Sequence, residues 1–395
     1  MSAVIEAVAP PPSRGLTFCD LSPFYAPTGG GIRTYHDAKL AWFSAQRRHR
    51  YVLLVPGPRF AVTPHGPNAT VVTVYGAPVR AGYRVPLDFA AIRRVVDELR
   101  PDVIETGDAL IGGPLGLLFR RLGYTSFLSS FYHSDPVATY LAPKAGAHGL
   151  IAAMQRRLSG WLEPPLFRLQ QRYNLTLTSS AWVEDMLRAR GVSPMTRVPF
   201  GVDPIFFDVG RNRAPQRPRA RLLYVGRLQA DKGIDLLIRA IPDLLRLPSA
   251  TLTVVGQGPA AAQLRALASS TLRVEGYVSS RSTLARIYAD HDILLAPGPY
   301  ETFGLAGLEA MATGMSLVAP DAGGTAELLG SLVAPHLFTR HDTADFVRAV
   351  AAATAADPHE ESRAAIALAA CYGTWPEAIA REVDIYCRYL SPCTT

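Results

Sequence analysis

Two carboxylates stand eight positions apart in the sixteen-residue run Pro299–Gly314, PYETFGLAGLEAMATG: Glu301 in a loop and Glu309 on the helix expected after it. Between them, Phe303-Gly304-Leu305 reads as a helix start. A helix N-terminus presents unpaired backbone N–H groups and a positive dipole end, which suit an anion. Carboxylates beside such a site can hold hydroxyls by accepting their hydrogen bonds. Gly304 would cost roughly 1 kcal/mol in a helix interior, yet it is useful where a ligand must approach the backbone. Phosphate next to a polyhydroxyl group is the chemistry of a nucleotide sugar.

Other segments supply matching chemistry. Tyr224-Val225-Gly226-Arg227 ends an apolar run, and Asp231-Lys232-Gly233 follows near the next helix. Arg227, through its fork, and Lys232, as a point charge, could converge on one anion. Nearer the start, Gly29-Gly30-Gly31 precede a helix and permit close approach to a phosphate or sugar, although they do not match the spaced dinucleotide fingerprint. His133, in SSFYHSD, could bond a substrate hydroxyl or shuttle a proton, and a backbone-bonded structural histidine is the alternative. Asp290-His291-Asp292 has the form of a metal triplet but lies at the amino end of a strand, away from the other candidates, and reads as a turn. No metal and no cofactor is expected.

These residues need a scaffold. Short, continuously apolar runs alternate with helical patterns, which indicates buried parallel strands in doubly wound α/β sheets. In the first half the runs are Leu16–Asp20, Tyr51–Val55, Thr70–Tyr75, Val103–Glu105, Ser126–Phe131 and Leu175–Thr178. In the second they are Arg221–Val225, Thr251–Val255, Leu272–Gly276, Ile293–Ala296 and Ser316–Ala319. The Pro-, Arg- and Gly-rich stretch 204–219 breaks the rhythm and reads as a linker. The expected organisation is therefore two Rossmann-like domains, 1–203 and 220–375, around a cleft, with a last helix from about Pro376 to Leu390 packing on either. Ligands of such sheets bind at the carboxyl ends of the strands, which is where the candidate loops fall.

Composition narrows the class. The 395 residues are 48% apolar and 18% charged, ordinary for a globular protein, and no run approaches the roughly 18 uncharged apolar residues of a spanning helix. The stretch before Gly15 has no basic start and reads as a flexible leader. Cys19, Cys371, Cys387 and Cys393 show no metal or disulfide spacing, so reduced cytoplasmic thiols are expected. Net charge is +7, with 22 Lys and Arg against 14 Asp and Glu in residues 1–203 and near balance beyond. That polarity favours an anionic partner, and without a nucleic-acid reader motif a phosphorylated substrate or anionic membrane surface is preferred. Leu150–Tyr173 mixes Arg156, Arg157, Arg168 and Arg172 with Leu158, Trp161, Leu162 and Phe167, and Tyr35–Arg50 mixes Trp42 and Phe43 with Arg47, Arg48 and Arg50. Either could lie on a membrane surface, or be an ordinary core helix.

Taken in order, the motifs resemble the GT-B retaining glycosyltransferases of family 4. They are the glycine loop, HSD, PFGVD (Pro199–Asp203), YVGRLQADKG, VVGQGP (Val254–Pro259), VEGYVS (Val274–Ser279) and Glu301-x7-Glu309. GGGIRTY and RPDVIETGD (Arg100–Asp108) are more loosely similar to bacterial lipid α-mannosyltransferases. The resemblance implies that Arg227 and Lys232 bind the donor diphosphate and that Glu301 and the Phe303–Leu305 amides meet the sugar. Glu309 would accept from the ribose, and Gly276-Tyr277-Val278 would flank the base. Gly29–Gly31 and Gly226 would lie near the phosphates, and His133 near the transferred sugar. Front-face attack with retention, a GDP-mannose or UDP-hexose donor and a lipid or other membrane-associated acceptor are implied likewise. A soluble acceptor, or a non-catalytic nucleotide-sugar sensor, are the competing readings. Phe200 departs from the family pattern, where many relatives carry a small polar residue.

Overall fold

The computed structural model describes residues 15–26, 29–79, 83–108, 110–135, 149–212, 220–330, 332 and 334–390. The expected leader before Gly15, Pro27 and Thr28 of the glycine loop, positions 213–219, Cys393 and the side chain of Arg156 lie outside the described residues.

Two parallel sheets carry the chain. Strands β1 (Thr17–Leu21), β2 (Arg50–Gly57), β3 (Ala61–Pro64), β4 (Ala69–Pro78), β5 (Arg84–Pro86), β6 (Val103–Thr106), β7 (Phe127–Phe131), β8 (Leu175–Thr178) and β9 (Met195–Arg197) form the first. Its order is β3-β4-β2-β1-β6-β7-β8-β9, with β5 on the side of β4 and only β3 and β5 antiparallel. Strands β10 (Arg221–Val225), β11 (Thr251–Val255), β12 (Leu272–Glu275), β13 (Ile293–Leu295), β14 (Ser316–Pro320) and β15 (His336–Phe338) form the second, in the order β12-β11-β10-β13-β14-β15. In each sheet the strand order reverses beside the first strand, at β1/β6 and at β10/β13. The expected apolar runs all become strands, with ends within three residues of those expected.

The helices that matter for the site are, in chain order, α1 (Gly31–Ala45), α2 (Gly149–Gln170), α3 (Ala181–Arg188), α4 (Pro204–Arg211), α5 (Ile234–Leu244), α6 (Arg281–Ala289), α7 (Leu305–Ala312), α8 (Gly324–Leu329) and α9 (Trp375–Leu390). Two sequence expectations need correction. The stretch read as a linker from Pro204 begins as a helix: Asp203 caps it by accepting from Ile205 N, Pro204 occupies its first turn, and Phe206 is fully buried against Tyr288. The Tyr35–Arg50 stretch is not a membrane face. Tyr35, Lys39 and Phe43 of α1 are buried under α9 and the first sheet, and Arg50 already belongs to β2.

Burial of apolar surface organises both halves. Alternate residues of β10 and β13 go to opposite faces: Leu223 and Leu294 join one cluster, while Leu222, Tyr224, Ile293 and Leu295 join another. The first of these clusters is continuous with the first sheet through aromatic rings. Phe200 lies 5.2 Å from Phe131, 5.1 Å from Phe303 and 5.3 Å from Trp375 (centroid to centroid). Phe200, the departure from the family pattern, is thus a packing bridge between the halves.

Helix α9 follows the second sheet in sequence and packs on the first. It brings Glu382 into a buried polar cluster, where Lys39 Nζ lies 2.8 Å from Asp20, 3.1 Å from Glu105 and 2.9 Å from Glu382. Tyr35 Oη lies 2.8 Å from Glu105 and 2.9 Å from Glu382, within hydrogen-bond reach of both, and Tyr386 Oη donates to Glu105. Burial pushes the Glu382 carboxyl up to about 8; Lys39 pulls it down, and Glu105 and Asp20 push it further up. The folded state therefore holds a proton there that the unfolded chain releases in the ordinary carboxylate range. This contribution to stability is complete below that range and is lost as pH rises through about 8. Melting temperatures compared between wild type and Glu382→Gln should show the wild type losing stability relative to the variant from pH 5 to pH 9. Parallel pH profiles would mean that Glu382 is already ionised at pH 5.

Candidate active site

The candidate residues lie on loops at the carboxyl ends of the strands and on the helices that follow, those of β1, β10 and β13 being at the points of strand-order reversal. After β10 the chain makes a tight turn, Ala230–Lys232, and then enters α5 through Gly233. Gly233 has φ +70°, and a Cβ there would meet Pro297 O at 2.2 Å, so this close approach of the β10 and β13 loops requires glycine. The approach sets Lys232 Nζ 2.7 Å from Glu301 Oε1, both side chains about a quarter exposed. Arg227 lies in the same turn, 2.8 Å from Asp231 and 3.2 Å from Gln229 Oε1, and Tyr224 Oη donates to its carbonyl. Gly226 N donates to Val255 O, which fixes the start of the turn to β11.

Helix α7 starts at Leu305, with Gly304 at its N-cap in the left-handed region (φ 90°). A Cβ on Gly304 would lie 2.4 Å from Thr325 Oγ1, so α7 and α8 can pack this tightly only around glycine. The Phe303 ring is buried between Phe200 and Tyr372. Glu309, one turn into α7, is only 4% exposed: Oε1 accepts from Arg281 at 2.8 Å and Oε2 from Tyr288 at 3.1 Å. The side chain of Val278 packs on the central cluster, whereas Gly276 and Tyr277 are exposed.

From the first sheet, Gly30 caps α1 with open space beside its Cα, and a Cβ on Gly31 would sit 3.9 Å from Leu305 Cδ2. Gly29, behind them, donates to Ala26 O. His133 follows β7, its ring stacked on Phe131 at 4.6 Å and lying against Gly107 after β6. Burial first, then the charges of His36 and Lys39, hold its imidazole well below the usual histidine range, so it is a neutral hydrogen-bonding group at neutral pH. Its Nε2 has no hydrogen-bond partner among the described residues.

Contacts invisible in the motifs join the halves. Thr302, next to Glu301, donates through Oγ1 to His133 O at 2.7 Å, and its own carbonyl accepts from Ser180 Oγ at 2.6 Å. Glu327 of α8 accepts from Ala181 N and Trp182 N at 3.0 Å each, capping α3 from across the cleft. Some candidate residues of the two halves are thereby brought close: Glu301, paired with Lys232, is the neighbour of the Thr302 that contacts His133, and Gly31 lies beside Leu305. Arg281, Thr302, Ser180 and Glu327 were not anticipated from sequence. Ser180 and Ser280, each followed by an apolar helical pattern, carried an N-cap signal that could have flagged the first of these junctions. The Asp290–Asp292 triplet is structural. Asp292 holds the Arg221 guanidinium at 2.7 Å, and His291 bonds Thr253 and the Ile287 carbonyl.

Comparison with known proteins bears on the family and the fold. Residues 30–206 match the family model "Glycosyltransferase Family 4", and residues 219–355 match "Glycosyl transferases group 1". The chain is 30% identical over 305 residues to a GDP-mannose-dependent alpha-(1-6)-phosphatidylinositol dimannoside mannosyltransferase of Mycobacterium tuberculosis, covering 75% of this chain and 77% of that protein. A glycogen synthase of the same species is 31% identical over 247 residues, 58% of this chain and 54% of that one. Among solved structures, the sucrose-phosphate synthase of Thermosynechococcus elongatus superimposes with a TM-score of 0.76 at 19% identity, over 95% of this chain and 99% of that one, which establishes the shared fold. Two facing Rossmann-like sheets, the paired family matches and the ordered motifs lead to one conclusion: this chain is a glycosyltransferase of family 4 with the GT-B fold.

Proposed function

We propose that the chain transfers a hexose, with GDP-mannose as the favoured donor, to a hydroxyl of a lipid or other membrane-associated acceptor, with retention and without a metal. The observation that carries this reading is the Lys232–Glu301 ion pair where the β10 and β13 loops meet, with Arg227 in the same turn. The pair is linked through Thr302 to His133 after β7, and Gly31 at the start of α1 lies beside Leu305. Arg227 and Lys232 offset the charge of the departing diphosphate, the electrostatic work a divalent cation does elsewhere. Glu301, oriented by Lys232, receives hydroxyls of the sugar beside the Phe303–Leu305 amides, and Glu309 receives the ribose. Gly226 and Gly276-Tyr277-Val278 frame the phosphates and the base. A neutral His133 donates or accepts a hydrogen bond at the transferred sugar without adding charge to a cationic transition state. The acceptor hydroxyl attacks from the face of the leaving phosphate.

The relative named for GDP-mannose and a phosphatidylinositol dimannoside supports both donor and acceptor class. A second support is α2, where Leu150, Met154, Leu158 and Trp161 are 78%, 63%, 49% and 75% exposed at one-turn spacing. Arg157 and Arg168 of the same helix and Arg172 just past it are exposed too, matching an anionic phospholipid surface on the cytoplasmic side. None of the described helices is long and apolar enough to cross a membrane, so contact would be peripheral.

Mannose release or transfer from radiolabelled GDP-mannose should fall at least about a hundredfold in Lys232→Ala and Glu301→Ala, with folding intact by circular dichroism. Activity retained in both would discard the site assignment. The wild type should float with phosphatidylserine-containing vesicles, and Met154→Glu/Trp161→Glu should not, while keeping donor hydrolysis. A wild type that stays at the bottom of the gradient would favour a soluble acceptor.

A further inference from the structure

Arg281 belongs to none of the motifs, yet it touches the candidate ribose site and the crossing between the two sheets at once. It is the first residue of α6, whose N-terminus Ser280 caps by accepting from Thr283 N. Its guanidinium donates to Glu309 Oε1 at 2.8 Å, lies 3.6 Å from Asp203 Oδ2 and covers the Phe206 ring at 4.7 Å. Tyr288, two turns further along α6 on the same face, donates to the other Glu309 oxygen. Helix α6 thus fixes the Glu309 carboxylate from both sides. Asp203, the second carboxylate on Arg281, caps α4 where the chain leaves the first sheet. A planar guanidinium meets carboxylates through a rigid fork of donors and lays its flat face on a ring, whereas an ammonium is a point charge without that fork.

We propose that Arg281 is a positioning residue for the nucleoside end of the donor: it holds Glu309 in the orientation that receives the ribose hydroxyls and ties that orientation to Asp203 at the crossing. This rests on the reading that Glu309 faces the ribose. Each carboxylate oxygen keeps a lone-pair site beyond the one occupied by Arg281 or Tyr288, so anchoring leaves room for a hydroxyl. Phe206 and Tyr288 pack against each other behind Arg281, and the Glu309 side chain is buried while the Arg281 side chain keeps 32% of its surface exposed.

The test compares binding of a ribonucleotide with that of the same nucleotide lacking both ribose hydroxyls. Titration calorimetry with GDP and 2′,3′-dideoxy-GDP, and with the matching uridine pair, is run on wild type, Arg281→Met, Arg281→Lys and Glu309→Gln, with melting curves as the folding control. The pair whose ribo form binds wild type more tightly is used. Wild type should prefer the ribo form by about tenfold or more. Arg281→Met should bring that preference to within about twofold while dideoxy affinity stays within about threefold of wild type, and adding Glu309→Gln to it should cost no further preference. Arg281→Lys, which keeps the charge without the fork, should fall between and decides the matter if the methionine variant does not fold. Equal loss for both nucleotides, or a preference unchanged in the lysine variant, would reduce Arg281 to a scaffold contact and overturn the proposal. A wild type that binds but shows no preference would overturn the ribose reading of Glu309 instead, and one that binds neither ribonucleotide would overturn the donor site itself.

Discussion

A lysine ammonium enclosed by protein is the constraint on which the rest of this architecture depends. Removing an ion of this size from water costs several kcal/mol, and that cost is offset only when partners satisfy it with good geometry. Lys39 is 1% exposed, and its three carboxyl partners come from β1, β6 and α9. Two are native to the first sheet, but Glu382 arrives from beyond the second. The first half of the chain therefore cannot complete its polar core without the last helix. The tyrosines that line the cluster continue into the cleft: Tyr35 lies 4.7 Å from the His133 ring and 5.7 Å from Phe200. Electrostatic closure of the core and placement of the site histidine are parts of one packing arrangement.

The site itself is assembled from loops that are held in place by backbone rather than by long side chains. Gly233 and Gly304 let neighbouring loops approach more closely than a Cβ allows, and the Thr302 hydroxyl and carbonyl span the cleft to His133 and Ser180. Such contacts set distances to a few tenths of an ångström, the tolerance that placing charged groups around a diphosphate demands. The flexible cations, Arg227 and Lys232, are in turn tethered to Asp231 and Glu301, which restrains their rotamers near the phosphate position proposed for them.

Much of this was legible in the chain because the buried parallel strands are continuous apolar runs and the site loops follow them. Leu222–Val225 and Thr251–Val255 announce themselves in this way. The strands Ala61–Pro64, Arg84–Pro86, Met195–Arg197 and His336–Phe338 did not, being three or four residues long and partly exposed, so they carry too few apolar positions to show a period. Asp203-Pro204 is a good helix start, a capping carboxylate before a proline in the first turn, but the Pro- and Arg-rich residues after it masked the signal. The amphipathic reading of Tyr35–Arg50 was sound as a pattern and wrong in its object: the apolar face meets α9, more than 300 residues away in sequence, and periodicity alone does not say what covers a face. Arg281 to Glu309 and Glu327 to α3 were out of reach for the same reason, since each joins segments whose proximity only the fold creates.

The position of α9 has a consequence for how the molecule comes into being. A ribosome delivers the first sheet long before it delivers Glu382, so the nascent N-terminal half must wait with one hydrogen-bond partner of Lys39 missing while some 180 further residues are made. The contacts of Thr302 with His133 and Ser180 and of Glu327 with α3 can join the halves as the second sheet forms, and α9 then adds its own packing on the first sheet. Vectorial synthesis thereby makes a segment that follows both sheets the one that completes the first-made core.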